Sequence, residues 1–262
     1  MIPALDLTFV IPIRLDSQER KENLMTCISF LSLFFKSNIL IIEADYKPSV
    51  DAKYFLTKNI KYIFVEDKEK VFHRTKYINI AVQNLKTDYI GIWDADVFVS
   101  PIQILLSLKS LRDKICEFAY PYDGRFLDIP SNLRREFIKT LDIRLLENNI
   151  HLSTPLYGPY ACGGGFFANS EEYILCGMEN ENFIGWGQED GERVCRWHKL
   201  NKRVIRLNGP LFHLNHPRGT NSKFLSENHR IKQINEYYRI ETMSKIRLKQ
   251  EISLWLKKYS TL

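Results

Sequence analysis

Tyr89-Ile90-Gly91-Ile92-Trp93-Asp94-Ala95-Asp96-Val97-Phe98-Val99 decides how this chain is read. Its first five residues form a hydrophobic run of strand length, bounded by polar sequence. Two carboxylates follow at i and i+2, where the buried strand runs out, and a second apolar run begins at Val97. Carboxylates so placed can face one divalent cation. Their oxygens suit Mg²⁺ or Mn²⁺, and such a cation usually also holds phosphate oxygens. Asp-x-Asp also occurs in plain turns, so the rest of the chain has to supply the context.

Outward from that stretch the chain alternates. Leu7 to Ile13 predicts a strand, and about Glu19 to Phe35 a helix. Ile39 to Ile42 predicts a second strand, with a short helix near Asp51 to Thr57. Tyr62 to Val65 predicts a third, then a helix from about Thr75 to Leu85, and Tyr89 to Trp93 is the fourth. Short apolar runs separated by helices imply βαβ units and a mostly parallel sheet. Ligands of such sheets collect beyond the carboxyl ends of the strands, where Arg14, Glu43 and the Asp pair fall. Past Pro101 we expect a helix to about Arg112, a strand at Cys116 to Tyr120 and an irregular segment to Pro130. One long helix from Ser131 as N-cap to about Asn148 follows.

Composition narrows the class. The 262 residues are 45% hydrophobic and 26% charged, as in a soluble globular protein with a sizeable core. No apolar run approaches a membrane span, and Leu5 to Ile13 is too short and lacks the basic start of a signal peptide. Five cysteines (Cys27, Cys116, Cys162, Cys176, Cys195) contain no C-x-x-C pair, which predicts a reducing, cytoplasmic compartment. The net charge of +6 is concentrated from Lys223 onward, where nine Lys or Arg face four Glu. The rest is nearly neutral, which disfavours a nucleic-acid-binding body. In the tail, Ile231, Ile234, Tyr238, Ile246, Leu254 and Trp255 lie among basic residues. They predict either a packed C-terminal helix with a solvated basic face or a helix on anionic lipid at the inner face of a membrane. The expected division is a main domain over 1–222 and a basic helical extension over 223–262.

Four further clusters bear on chemistry. Pro12-Ile13-Arg14 ends the first strand, where an Arg could grip a diphosphate in bidentate fashion or simply face solvent. Gly163-Gly164-Gly165 precedes a strand and either lets a ligand approach the backbone or makes a turn. Gly185-Trp186-Gly187-Gln188-Glu189-Asp190 offers a stacking ring beside two acids, or a helix start with favourable charge. His213-Leu-Asn-His216 follows a strand at Arg203 to Leu207, and neutral imidazole is a good Mn²⁺ ligand beside carboxylate.

In order and spacing these motifs resemble the β-1,4-galactosyltransferase family and the C-terminal galactosyltransferase domains of bacterial polysaccharide synthases, within the GT-A superfamily. Pro12-Ile-Arg14 resembles P-F-R, and Phe72-His-Arg74-Thr-Lys76-Tyr-Ile-Asn79 resembles F-N-R-x-K-x-x-N. Trp93-Asp94-Ala-Asp96 resembles D-V-D. Cys162-Gly163-Gly164 resembles F-G-G, and Gly185 to Asp190 resembles W-G-W-G-x-E-D. The resemblance covers about residues 8 to 220. It implies a GT-A (nucleotide-diphospho-sugar transferase) fold with a mostly parallel central sheet flanked by helices. It implies a metal-dependent, inverting transfer of a sugar from a UDP-sugar to a saccharide hydroxyl, on an acceptor that is free or lipid-linked.

Carried over residue by residue, the resemblance places Arg14 and Arg74 at the diphosphate, Lys76 in the same basic segment, and Glu43 near the uridine. Asp96 becomes the direct metal ligand and Asp94 the neighbour of the ribose or of a metal-bound water. His213 and His216 stand where the animal enzymes have Met-x-x-His. Pro12 and Gly164 belong to the donor-side motifs. Trp186 becomes the sugar platform, Asp190 the general base, and Glu189 an orienting group. Gly191 replaces a third acid, and Ile184 stands where the family has Trp. Ala161 holds the place of a bulky Tyr in galactose-using relatives, which implies room for an acetamido group and hence UDP-GalNAc as well as UDP-Gal. Two other classes compete: a non-catalytic sugar-binding module, which needs neither the Asp pair nor the histidines, and a nucleotidyltransferase, whose glycine-rich loop Pro12 to Asp16 lacks.

Overall fold

The apolar runs become neighbouring strands in a computed structural model that describes residues 1–55, 59–83 and 85–259. In chain order the elements are β1 (Ile2–Ile13), α1 (Gln18–Phe34), β2 (Phe35–Asp45), a 3₁₀ turn at Ala52–Phe55, β3 (Ile60–Glu66), α2 (Arg74–Val82), β4 (Tyr89–Trp93) and β5 (Val97–Phe98). The second half adds α3 (Pro101–Arg112), β6 (Phe118–Tyr120), β7 (Phe126–Ile129), α4 (Ser131–Thr140), α5 (Ile143–Asn148), β8 (Thr154–Pro155), β9 (Gly165–Asn169) and α6 (Ser170–Leu175). Last come α7 (Glu189–Lys199), β10 (Val204–Arg206), β11 (Leu211–Leu214), α8 (Glu227–Thr242) and α9 (Lys245–Lys257).

Two sheets result. The larger has the order β10-β6-β9-β4-β1-β2-β3, parallel except that β9 runs antiparallel to both β4 and β6. The smaller has the order β5-β11-β7-β8. Central β1 is almost fully buried from Leu7 onward, which explains an apolar run interrupted by a polar side chain only at Thr8. Phe9 lies at its centre, edge-on to Trp93 and Phe167 with ring centroids 5.6 and 5.7 Å away. Local chemistry sets several boundaries: the Ser17 side chain accepts from Arg20 N at the start of α1, and Ser100 and Gln103 form a capping box with Pro101 in the first turn of α3.

The strands are longer than their apolar runs at β1 and β2, where pairing continues into half-polar sequence. The segment before Pro130 is not irregular throughout, because β7 forms there beside β11. The single helix expected from Ser131 to Asn148 is two. Leu141 takes a left-handed conformation at φ 53°, ending α4, and Asp142 caps α5 by accepting from Arg144 N. Pro130, not Ser131, occupies the N-cap position of α4. The short helix near Asp51 is a 3₁₀ turn, and its expected end at Thr57 lies outside the described residues.

The basic tail packs against the body as α8 and α9. The residues that bury themselves are Ile240, Leu248 and Ile252, whereas Ile231, Tyr238, Ile246 and Leu254 of the expected apolar face are exposed. Gly177 leaves the space that Ile252 and Trp255 fill, at 3.1 and 3.0 Å from where its Cβ would be. Arg196 lies 5.4 Å from the Trp255 ring centroid, and Arg239 bridges Glu236 and Glu251 across the two helices. Among the described residues no helix is long and apolar enough to cross a membrane.

Phe9→Ala, at the buried junction of three rings, is expected to cost about 3–5 kcal/mol. Urea unfolding checks it: the midpoint falls while the m-value stays constant.

Candidate functional site

Beyond the carboxyl ends of β1 and β4, a cleft of about 370 Å³ opens between the two sheets and the start of α7. Its walls gather eleven of the thirteen residues singled out from sequence: Pro12, Arg14, Arg74, Asp94, Asp96 and Gly164, with Trp186, Glu189, Asp190, His213 and His216. Glu43 and Lys76 lie outside it. Glu43 is fully buried, accepting from Ser49 N at 2.8 Å and from the Tyr62 hydroxyl. It is thus turned into the core and not into the cleft. Lys76 rests 5.5 Å from the Tyr77 ring.

The turn after β4 is pinned on three sides. Trp93 Nε1 donates to Val97 O at 3.1 Å, Asp94 N to Gly164 O at 2.8 Å, and Leu214 N to Asp96 O at 2.8 Å. These bonds bring Asp96 against both histidines: Oδ2 stands 3.1 Å from His216 Nε2 and 3.7 Å from His213 Nε2. The possible ligand atoms of Asp96, His213 and His216 all lie within 4.8 Å of one another. Each ring is fixed from behind, His213 Nδ1 by Asp128 Oδ1 at 2.6 Å and His216 Nδ1 by Pro217 O at 2.9 Å. With Nδ1 so engaged, both Nε2 atoms face the Asp96 oxygens. This is how carboxylate and carbonyl partners orient metal-binding imidazoles. One carboxylate and two imidazoles suit a divalent transition metal.

Charge reinforces the geometry. Burial opposes charge on His213, but Asp96 and Asp128 outweigh it and push the imidazole up to about 9. Burial would raise Asp96, yet the two histidines hold it well below the usual carboxylate range. Asp94 is raised, by burial first and by Asp96, against the pull of Arg74, whose NH2 lies 2.6 Å from its Oδ1.

The two arginines differ. Arg14 is committed: Nε donates to Ala44 O, NH1 to Glu69 O and NH2 to Asp67 Oδ2 at 2.5 Å. It therefore shapes the wall, and the expected diphosphate contact would have to displace these partners. Arg74 keeps one buried nitrogen, NH1, without a partner. The glycines also divide. Gly164 sits at φ +80°, where a Cβ would also meet Phe126 at 2.8 Å, and Gly165 abuts the Trp93 ring at 2.8 Å. Both are there for close packing. Of the three, Gly163 alone meets a carboxylate of the cleft, Asp190 Oδ2, at 2.7 Å from its absent Cβ.

Glu189 and Asp190 occupy the first turn of α7, where the helix dipole favours acids. Asp190 Oδ1 accepts from Arg193 NH2 at 2.5 Å. Burial, then the Asp190 charge, push Glu189 up to about 8, and its Oε2 has no partner. Trp186, between Gly185 at φ +77° and Gly187, meets Phe224 edge-on at 4.8 Å. Sequence reading missed Asp128 and Arg193. Asp128 carried a signal in hindsight, since it alternates with apolar Leu127 and Ile129 on a strand paired with His213. Arg193 stands at i+3 from Asp190 on a helix face.

No protein-family profile matches the chain, and no curated protein matches it in sequence. Among solved structures it is similar to the catalytic domain of Drosophila β1,4-galactosyltransferase 7 in complex with xylobiose, with a TM-score of 0.56 at 15% identity over 93% of this chain and 82% of that one. It is also similar to an Asp-to-Asn mutant of that enzyme in complex with manganese, UDP-Gal and xylobiose, with a TM-score of 0.52 at 15% identity over 87% of this chain and 79% of that one. The chain has the GT-A fold. At this identity the likeness is one of architecture, and within the GT-A frame the cleft lies where strand ends and the Asp-x-Asp turn meet.

Because His213 is raised to about 9, a proton competes with a cation at its Nε2 over the whole range below that value. Mn²⁺ affinity is expected to rise as pH is raised from roughly 6.5, the free imidazole value, toward 9. Calorimetry in buffers of different ionisation enthalpy should register proton release on binding at neutral pH.

Proposed function

We propose that this GT-A chain is a metal-dependent, inverting glycosyltransferase that moves galactose or N-acetylgalactosamine from a UDP-sugar to a saccharide hydroxyl. The observation that carries the reading is one cleft holding an Asp96–His213–His216 cation site together with a carboxylate, Asp190, whose second oxygen is unclaimed by its arginine. Drosophila β1,4-galactosyltransferase 7, similar in fold, has been crystallised with manganese, UDP-Gal and xylobiose. That supports Mn²⁺ as the cation and a saccharide as the acceptor here.

The mechanism follows from charge. As the anomeric C–O bond breaks, the leaving diphosphate gains negative charge, and a divalent cation held by Asp96, His213 and His216 would supply positive charge where it develops. Arg74 lines the cleft and its NH1 has no partner, which favours it over the fully engaged Arg14 as the diphosphate arginine. Asp94 holds Arg74 in position. Trp186 offers an apolar face for the sugar. Asp190 accepts the proton of the acceptor hydroxyl during attack, and a single displacement inverts the anomeric centre. Glu189, neutral below its raised value of about 8, can donate a hydrogen bond to a sugar oxygen that an ionised carboxylate could not. Ala161 lines the cleft, and its methyl leaves space for an acetamido group at C2. All five cysteines are free thiols, consistent with a cytoplasmic setting.

UDP release from a panel of UDP-sugars is expected with Mn²⁺ and not with EDTA, favouring UDP-Gal and UDP-GalNAc. Asp96→Asn should weaken metal-dependent UDP binding by at least about tenfold, the lower end of what even outer-shell changes cost. Asp190→Asn should reduce transfer by about 10²–10⁴ and leave Mn²⁺·UDP affinity intact. Silence across the panel, with no Mn²⁺-dependent UDP binding, would refute the reading. Ala161→Tyr is expected to shift preference from UDP-GalNAc toward UDP-Gal, read as a ratio of kcat/KM values; equal exclusion of N-acetylated donors by the wild type would exclude the donor assignment.

A further inference from the structure

Behind Asp190 lies a buried polar network that the reaction outlined above does not use. Arg193 is 1% exposed, and its NH1 donates to Glu179 Oε2 at 2.8 Å, a carboxylate that is itself 1% exposed. Its NH2 donates to Asp190 Oδ1 at 2.5 Å and more weakly to Cys162 O at 3.4 Å. The guanidinium is stacked 4.4 Å from the Phe166 ring centroid and 5.6 Å from that of Trp197, so it has little freedom to swing. Glu179 is fixed in turn. Tyr173 OH donates to its Oε1 at 2.6 Å, and its backbone N and O exchange 2.9 Å bonds with the Asn79 side chain on α2. A buried pair of this kind is weak evidence for stability, because desolvation of both ions offsets most of their attraction. Its geometry is more informative. One end of the chain of bonds is anchored in the core, and the other ends on Asp190, whose side chain is 28% exposed and lines the cleft.

The two oxygens of Asp190 are therefore unlike. Oδ1 is held by Arg193; Oδ2 lies over Gly163, 2.7 Å from the position a Cβ would occupy there. We propose that Arg193, anchored by Glu179, is a positioning residue that immobilises Asp190 through Oδ1 and presents Oδ2 alone, over Gly163, to the acceptor hydroxyl. The inference rests on the glycosyltransferase reading and deepens it. Gly163 is then required because any side chain at that position would press on the reactive oxygen. Its backbone does not adopt a left-handed conformation, so alanine is sterically compatible with the main chain and acts on Asp190 directly.

The test compares kcat, acceptor KM and Mn²⁺·UDP affinity in the full-length protein for four variants. Arg193→Met combined with Glu179→Gln removes both buried charges together, which keeps the core free of an unpaired ion. We expect kcat to fall by about 10- to 100-fold, a part of the 10²–10⁴ a general base supplies. The Mn²⁺·UDP affinity should stay within about threefold, since neither residue touches the cation site. Arg193→Lys, which retains a cation for Oδ1, should recover most of the loss. Gly163→Ala should lower kcat in the same way with Mn²⁺·UDP affinity unchanged. Wild-type kcat in the folded double variant overturns the clamp; should that variant not fold, wild-type kcat in Gly163→Ala overturns it. Asp190→Asn, run in parallel, separates the two levels: if it remains active while the wild type transfers sugar, the base assignment falls and the clamp with it. A wild type inactive on every UDP-sugar overturns both.

Discussion

The turn from Trp93 to Val97 belongs to both sheets at once. β4 ends on one side of it within the seven-stranded sheet, and β5 begins on the other within the four-stranded sheet. Its backbone is tied to Gly164 by Asp94 N and to Leu214 by Asp96 O, so neither sheet can shift without moving the two carboxylates. The indole of Trp93 closes the turn from beneath through Val97 O. Everything else in the cleft is arranged relative to this anchor: β11 carries His213 past Asp96, β7 places Asp128 behind His213, and the glycines before β9 allow the third wall to approach. A rigid turn is what a cation site with few protein ligands needs, because small displacements at the ligands translate directly into lost affinity.

Charge imposes a second constraint. Asp94, Asp96, Glu189 and Asp190 line one cleft, and four carboxylates at such range would repel one another strongly if all were ionised and unpaired. The structure distributes the load. Asp94 is matched by Arg74, Asp96 by the two histidines, and Asp190 by Arg193, while Glu189 is left without a cation and rises to about 8. The acids are thus differentiated by their neighbours, which is how chemically similar groups acquire distinct roles.

Much of this was legible in the chain. The strands β1 to β4 and the helices α1 and α2 follow from apolar runs of the right length, and the Asp pair fell at a strand end as its sequence context implied. Eleven of the expected site residues meet in one cleft because strand ends and helix starts are local signals. Where sequence and structure part, long-range partners are often the reason. Glu43 reads as a strand-end acid, yet Tyr62 and Ser49 draw it inward. Arg14 reads as a free phosphate ligand, yet Asp67, 53 positions away, occupies it. The break at Leu141 carries no Gly or Pro, so periodicity ran through it. Asp128 and Arg193 were overlooked because their full roles depend on His213 on another strand and on Glu179 in the core.

The loop that carries Trp186 has little regular structure of its own; it is held from outside by the basic tail. His229 Nε2 bonds Ile184 O at 2.8 Å, Phe224 meets the Trp186 ring edge-on, and Gln233 occupies the space over Gly187 that a side chain would need. The final helices therefore serve as a splint for one wall of the cleft. Shortening the protein at the end of the recognisable motifs would therefore leave the Trp186 loop without its backing.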